Sequence, residues 1–275
     1  MTRPSGLRTL RLRACVQAVV LTLIMLFIAL PLVVVAWTSI QSETYPGFPP
    51  AGLSMRWWHE ALTAQWLLPI AQSLVIGAAA ALLATVLGTC AACGLAKSTG
   101  RMRSLVDGFL ATPLLLPELV IGLALLQLVS HLNARYVLGM PLLIAAHAVV
   151  GIPFVVRTVS VSLAGIDERW ERAAADLGAS GLRTFVHVTL PLIKSGIFAG
   201  SLFAFITSFN NVELSLFLVT RQDTPIPIAI LQYMDYEYSP VLAAVAVLTV
   251  VPVLITVAIA AKFVRLTSFI YDGRK

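Results

Sequence analysis

Charge is scarce in this sequence. Of its 275 residues only 12% are Asp, Glu, Lys or Arg, roughly half the share in a soluble globular domain. Acids are the scarcer sign, with 13 Asp and Glu against 19 Lys and Arg. With 59% hydrophobic residues and a mean hydropathy of +0.91, the chain lacks the polar surface needed to face water on all sides. That excludes a soluble enzyme domain and a disordered segment. So apolar a chain does not read as a nucleic-acid binder either.

Several signatures of chemistry are missing too. No G-x-x-x-x-G-K-[ST] is present, so phosphates of ATP have no cradle by that route. No G-x-S-x-G or H-E-x-x-H supports hydrolysis. The three cysteines, Cys15, Cys90 and Cys93, make no disulfide framework. Cys90 and Cys93 form a C-x-x-C within an apolar run. A metal or redox site needs thiolates, which hydrocarbon disfavours, so they read as small packing residues. No His/Cys spacing suggests zinc. Internal repeats and low-complexity tracts are absent.

What the sequence has is long apolar runs. A bilayer core takes roughly 20 apolar residues per helix. Six runs qualify, at 16–37, 70–95, 109–131, 141–163, 196–219 and 240–261. The first follows arginines, but it is too long for a signal-peptide core and lacks a small-x-small cleavage site, so it reads as a retained span. Of the 19 cations, only Arg56, Arg135 and Arg221 fall on one side of the membrane. The rest fall at the two ends, in the 96–108 connection and in or beside 164–195. The positive-inside rule then puts both termini in the cytoplasm, which an even number of spans also requires. The expected fold class is an all-α integral membrane protein, residues 1–275 forming one transmembrane domain of six helices in a bacterial inner membrane. Trp37, Trp57, Trp58 and Trp66 read as interfacial aromatics. Residues 54–66 suit a short surface helix, and 220–239 an ordered outer loop or short re-entrant segment.

The connection 164–195 is not built like a linker. It reads GIDERWERAAADLGASGLRTFVHVTLPLIKS from Gly165. Asp167 suits an N-cap, Trp170 to Leu177 are helix formers, and Gly178 is a stop. A second helical stretch runs from about Leu182 to Val188 and ends at Leu190-Pro191. Two short helices are therefore expected, and their small alanines allow another protein to come close.

This stretch resembles the EAA loop of binding-protein-dependent ABC importer permeases. Their pattern is E-A-A, three residues, Gly, nine residues, Ile, one residue, Leu-Pro. Here Arg172-Ala173-Ala174 takes the E-A-A place, Gly178 the Gly, Val188 the Ile, and Leu190-Pro191 closes the motif. Arg172 departs from the usual Glu, while Glu171 stands directly before it. Asp176 lies between the alanines and the glycine. The six runs, the segment Thr112-Pro113-Leu114-Leu115-Leu116-Pro117-Glu118 and the segment Ser208-Phe209-Asn210-Asn211-Val212-Glu213 are similar to the spermidine/putrescine-type permeases, the second of two related permeases in such systems. The resemblance implies a MetI-like type I importer permease fold with a coupling helix that docks on an ATPase. It also implies two ATPase copies that use ATP and Mg, a second homologous permease, and a periplasmic or lipid-anchored solute-binding protein. No cofactor is implied for this chain itself, and its role is transport rather than catalysis. The cargo implied is a small organic solute, polyamine-like or related.

A charge at the bilayer centre costs roughly 3 kcal/mol on insertion scales, so each one within a run needs a reason. Glu118 follows Pro117, with Gly122 one turn on. It either faces a pathway or pins a neighbouring helix. Glu213 lies on the fifth span with Asn210 one turn before it, so both share a face, and Thr207 and Asn211 sit beside it. These four suggest a water-lined translocation surface, the alternative being an interhelical hydrogen-bond cluster. Related polyamine permeases tend to carry acids near the Asn210-Asn211 pair. Here both are amides, and the acid is Glu213. Gln127, His131 and His147 are lesser candidates, histidines in apolar helices being commonly hydrogen-bonded packing residues. An ion-coupled secondary transporter remains the alternative function, although it is expected to show repeats or broken helices in matching halves. An intramembrane enzyme would need a denser constellation than Glu118 with Glu213.

Overall fold

The computed structural model describes residues 5–45, 52–167 and 169–272, with side chains described over residues 15–258 of these. Arg3, Arg274 and Lys275 of the cation count lie outside the described residues. The chain is helical, and among the described residues the only β pairing is an isolated antiparallel bridge between Gln41 and Leu53. In chain order the helices are α1 (Ser5–Thr38), α2 (Arg56–Ala61), α3 (Ala64–Lys97), α4 (Gly100–Leu115), α5 (Glu118–His131) and α6 (Met140–Ala164). They continue as α7 (Arg169–Asp176), α8 (Gly181–Thr184), α9 (Leu190–Phe209), α10 (Ile226–Met234) and α11 (Val241–Asp272). Five stretches are long and apolar enough to cross a membrane, and the bent pair α4–α5 makes a sixth if counted as one span.

The chain divides into two compact units. The first holds α1, α2 and the start of α11. Its α1–α2 link is fixed by tryptophan: Trp57 Nε1 donates to the Gln41 carbonyl at 2.7 Å, and Trp58 Nε1 to Ser39 Oγ at 3.2 Å. Trp57 is buried and lies under the Arg56 guanidinium, 4.6 Å from its ring centre. This corrects the interfacial reading for Trp57.

The second unit is built on α3, α6 and α9. Lipid tails are as apolar as leucine, so helices here associate through close packing of small residues rather than by expelling water. Ala81, Ala84 and Ala92 of α3, Val155 and Val159 of α6, and Ile193 and Ala204 of α9 form one buried cluster. Gly200 on α9 has no room for a side chain, because a Cβ there would lie 2.7 Å from the Val155 Cα. A second cluster joins Ile76, Leu143, Ala146 and Val150 to Leu214 and Leu218, beyond the end of α9. Trp66 is buried against Tyr233, with ring centres 5.1 Å apart, so it too is a packing residue rather than an interfacial one.

Two apolar runs expected as single helices are broken. The third run bends by 98° between α4 and α5. Pro117 supplies no N–H and drives Leu116 into an extended conformation (φ −92°, ψ 139°), so α5 starts afresh at Glu118. The fifth run stops at Phe209 instead of reaching 219. Asn210 turns its side-chain amide back to the Ile206 carbonyl at 3.1 Å, and Asn211 Oδ1 accepts from the Leu214 N–H at 2.9 Å. These side chains compete with the helix ladder and end it. A 3₁₀ turn, Ser215–Phe217, follows.

The connection 220–239 is ordered and holds α10. Ser73 Oγ accepts from the Ile226 N–H at 2.9 Å, Gln72 binds Thr224 N–H and the Gln222 carbonyl, and Asp223 accepts from the Met140 N–H at 3.1 Å.

Candidate functional site

Two features stand out on this scaffold: the connection between α6 and α9, and the polar junction where the two broken runs meet. The connection begins as its residues dictate. Asp167 Oδ1 accepts from the Arg169 N–H at 2.9 Å, an N-cap interaction that starts α7. At the other end Gly178 takes φ +79°, which a residue with a Cβ adopts at a penalty. Its N–H donates to the Ala175 carbonyl at 2.9 Å, and the Ala179 N–H to the Ala174 carbonyl at 3.0 Å. That pair of bonds closes the helix in a Schellman motif. Arg172, Ala173, Asp176 and Gly178 are exposed, and Ala174 is half-buried. Exposed apolar side chains accompany them: Trp170, Leu177 at 89% and Leu182 at 75% exposure. These give α7 an exposed surface of small and apolar side chains.

The second half of the connection departs from expectation. The stretch does not end at Leu190-Pro191. It runs from α8 through a π turn, Phe185–Thr189, directly into α9. Pro191 sits in the first turn of α9, where its missing N–H is tolerated. One residue earlier, the Leu190 N–H donates to Phe185, five residues back, rather than four. Val188 and Leu190 are half-buried, and Pro191 is exposed. Thr189 is buried, and its hydroxyl donates to Glu171 Oε1 at 2.6 Å. Sequence reasoning missed Thr189, whose only signal was its place before Leu190-Pro191. A cavity of about 1140 Å³ separates α7 from the ends of α3, α4 and α6. Lys97, Arg103 and the Arg157–Asp107 pair (3.6 Å) line it.

The polar junction joins residues that the sequence set 93 positions apart. Asn211 Nδ2 donates to Glu118 Oε2, so the first turn of α5 is tied to the break after α9. Gly122 on α5 permits this approach, since a Cβ there would lie 2.9 Å from the Leu214 carbonyl oxygen. A carboxylate in the first turn of a helix also faces the positive end of its dipole. Beside it, buried His147 of α6 bonds Ser208 Oγ through Nδ1 at 2.7 Å and Ser215 Oγ through Nε2 at 3.1 Å. The histidine thus spans the same break, joining the last turn of α9 to the 3₁₀ turn. Ser215 was missed in the sequence, where an isolated serine carries no signal.

The expected face of Asn210 and Glu213 is not formed. Asn210 is the C-cap of α9, and Glu213 lies exposed in a turn beyond the helix end. Thr207 is half-buried in the last turns of α9. The structure therefore brings Glu118 to Asn211 and leaves Glu213 apart from the helical face. Among the described residues no three His, Cys, Asp or Glu side chains converge as metal ligands.

Helices long and apolar enough to cross a membrane, with two runs broken at Pro117 and after Phe209, define a multi-pass membrane protein. The chain belongs to the binding-protein-dependent transport system inner membrane component family, whose model matches residues 84–268. It is 29% identical over 238 residues to the spermidine/putrescine transport system permease protein PotC of Escherichia coli K12, covering 86% of this chain and 89% of that protein. It is 33% identical over 208 residues to the putrescine transport system permease protein PotI of the same strain, covering 72% and 73%. A molybdate/tungstate transport system permease protein, WtpB of Methanocaldococcus jannaschii, is 29% identical over 164 residues, covering 58% of this chain and 66% of that one. In fold it matches a bacterial ABC transporter involved in the import of the acidic polysaccharide alginate. The TM-score is 0.72 at 16% identity, over 96% of this chain and 99% of that one. The chain is thus an inner-membrane ABC importer permease of the MetI-like fold.

Proposed function

We propose that this chain is one half of the translocation unit of an ATP-driven importer for a small organic solute of the polyamine class. The observation that carries the coupling role is α7, an exposed helix begun by Asp167 and closed by Gly178 at the spacing of the EAA loop. In this reading Glu171, Arg172, Ala173, Ala174, Asp176 and Gly178 form or support the surface that meets an ATPase. Val188, Leu190 and Pro191 carry the second arm of the loop into α9. Two ATPase copies hydrolyse ATP with Mg, a second homologous permease completes the pathway, and a periplasmic or lipid-anchored binding protein delivers the solute. Both termini and the 164–195 connection face the cytoplasm, as the cation distribution implies.

The names of the relatives PotC and PotI support the polyamine class. Glu118 meets the Asn210–Asn211 break in space through Asn211 and Glu213 follows it by two residues in sequence, while Thr207, Asn210 and Asn211 add neutral polar groups there. A primary ammonium ion needs such acceptors on its way through hydrocarbon. The test is purification from the native membrane through a C-terminal tag, with mass spectrometry of what accompanies the chain. An ATPase and a second multi-span permease are expected. A chain that emerges alone, or only with copies of itself, would remove the ABC assembly.

A further inference from the structure

The loop residue Glu171 stands one position before the family's usual acid and points its carboxylate inward, not at the face left for a partner. Its Oε1 receives the Thr189 hydroxyl at 2.6 Å, across 18 residues. Thr189 is buried, and it closes the π turn from which α9 starts. π turns inside helices recur at functional positions, because their widened hydrogen-bond ladder is tolerated only where something else requires it. Here Pro191 explains the end of that turn but not the contact. From Thr189 onward α9 is held rigidly to α6, since Gly200 leaves no gap to Val155 and Ile193 is buried between the helices. At its own start α7 carries the Asp167 cap and an exposed Arg169–Asp167 pair at 3.8 Å, both local to the helix end. At its middle, Glu171 ties the loop helix to Thr189, where α9 begins.

Resting on the importer reading above, we propose that the Glu171–Thr189 hydrogen bond is a strut that makes α7 and α9 move as one body. Force on the docking helix then reaches the spanning helix and, at its far end, the Asn211–Glu118 junction. Glu171 and Thr189 are positioning residues in this scheme. The strut needs an acceptor oxygen at Glu171 and a hydroxyl at Thr189. It does not need the negative charge, which separates it from an ion pair between Glu171 and a partner.

The test uses the complex purified from the native membrane, with this chain's three cysteines replaced by serine. Spin labels are placed at Arg169→Cys on α7 and Lys194→Cys on α9, both exposed. The label separation is measured nucleotide-free and after ATP with vanadate. The parent chain should give one distribution that keeps its centre and width between the two states. Thr189→Val, which preserves the shape without the hydroxyl, should broaden or shift that distribution on nucleotide addition. Glu171→Ala should do the same, and the double variant should be no worse than either single one. Glu171→Gln should restore the parent behaviour. A parent distance that itself shifts with nucleotide overturns the strut. So does an unchanged distance in Thr189→Val, and so does loss of coupling in Glu171→Gln with Thr189→Val normal. Size-exclusion profiles and ATPase rate report assembly separately: a parent chain carrying no ATPase at all would be a failure of the importer reading, not of the strut.

Discussion

The amide of Asn211 donates through Nδ2 to Glu118 and accepts through Oδ1 from the buried Leu214 N–H. Replacing it with leucine of similar size removes both functions at once. A buried N–H left without an acceptor costs about 1–3 kcal/mol. Asn211→Leu should therefore lower the thermal unfolding midpoint of the detergent-purified chain, and by more than Glu118→Gln, which still offers Asn211 an oxygen. Equal midpoints for Asn211→Leu and the parent would show that the amide holds nothing together. Glu213 is the contrast. It is exposed in a turn, and a surface substitution away from packed groups stays within roughly 0.5 kcal/mol. Glu213→Gln should leave membrane abundance and complex yield unchanged while altering uptake of radiolabelled putrescine. Loss of the complex on purification would make Glu213 a structural residue. In the sequence Glu118 and the asparagine pair were visible as charges and amides out of place. Which amide met which acid was not, because a 3.6-residue period carried through Phe209 puts Asn210 with Glu213, and the helix stops there.

Helix starts and stops are governed by neighbours in sequence, and this is why α7 could be placed before its structure was seen. Asp167 and Gly178 act within a few residues of themselves, through a side-chain cap and a positive φ. The break at Pro117 has a local cause, the missing N–H and the extended Leu116 before it. Its 98° does not, because the angle is set by where α5 packs, against the 3₁₀ turn that follows α9. The π turn was hidden for a similar reason: its sequence reads as one helix, and a one-residue widening leaves no pattern. The local logic at Gly178 yields an element-scale prediction. An L-residue in the left-handed region costs roughly 1–2 kcal/mol, and an aspartate there adds a charge to an exposed surface. Gly178→Asp should disturb the end of α7 without touching the spans. ATP hydrolysis by the complex should then separate from transport, with membrane abundance unchanged by immunoblot. Normal uptake per ATP by this variant would take the docking role away from α7.

On the scale of the molecule, the spans were legible because each must be apolar over its length, whatever it packs against. Their packing partners were not. The trio α3, α6 and α9 is chosen by small residues such as Ala84, Ala92 and Gly200, which in sequence look like any other alanine or glycine. Two of four tryptophans also misled, because Trp57 and Trp66 satisfy the interfacial pattern yet are buried in the fold. Orientation rests on a different quantity, the distribution of cations, which acts during insertion and leaves no mark on packing. On the six-span reading only Arg56, Arg135 and Arg221 of the 19 cations lie in connections opposite the loop, and such a bias sets topology when it lies close to the span ends. Arg221 adjoins the ordered α10 connection, and Arg183 lies on α8, so the two should sit on opposite faces of the membrane. With the three native cysteines replaced, a cysteine at Arg221→Cys should react with a membrane-impermeant maleimide in cells whose outer permeability barrier alone is opened. A cysteine at Arg183→Cys should react only after the inner membrane is permeabilised. The reverse pattern would place the α7 face outside, where no ATPase could reach it, and the coupling role of that loop would fall with it.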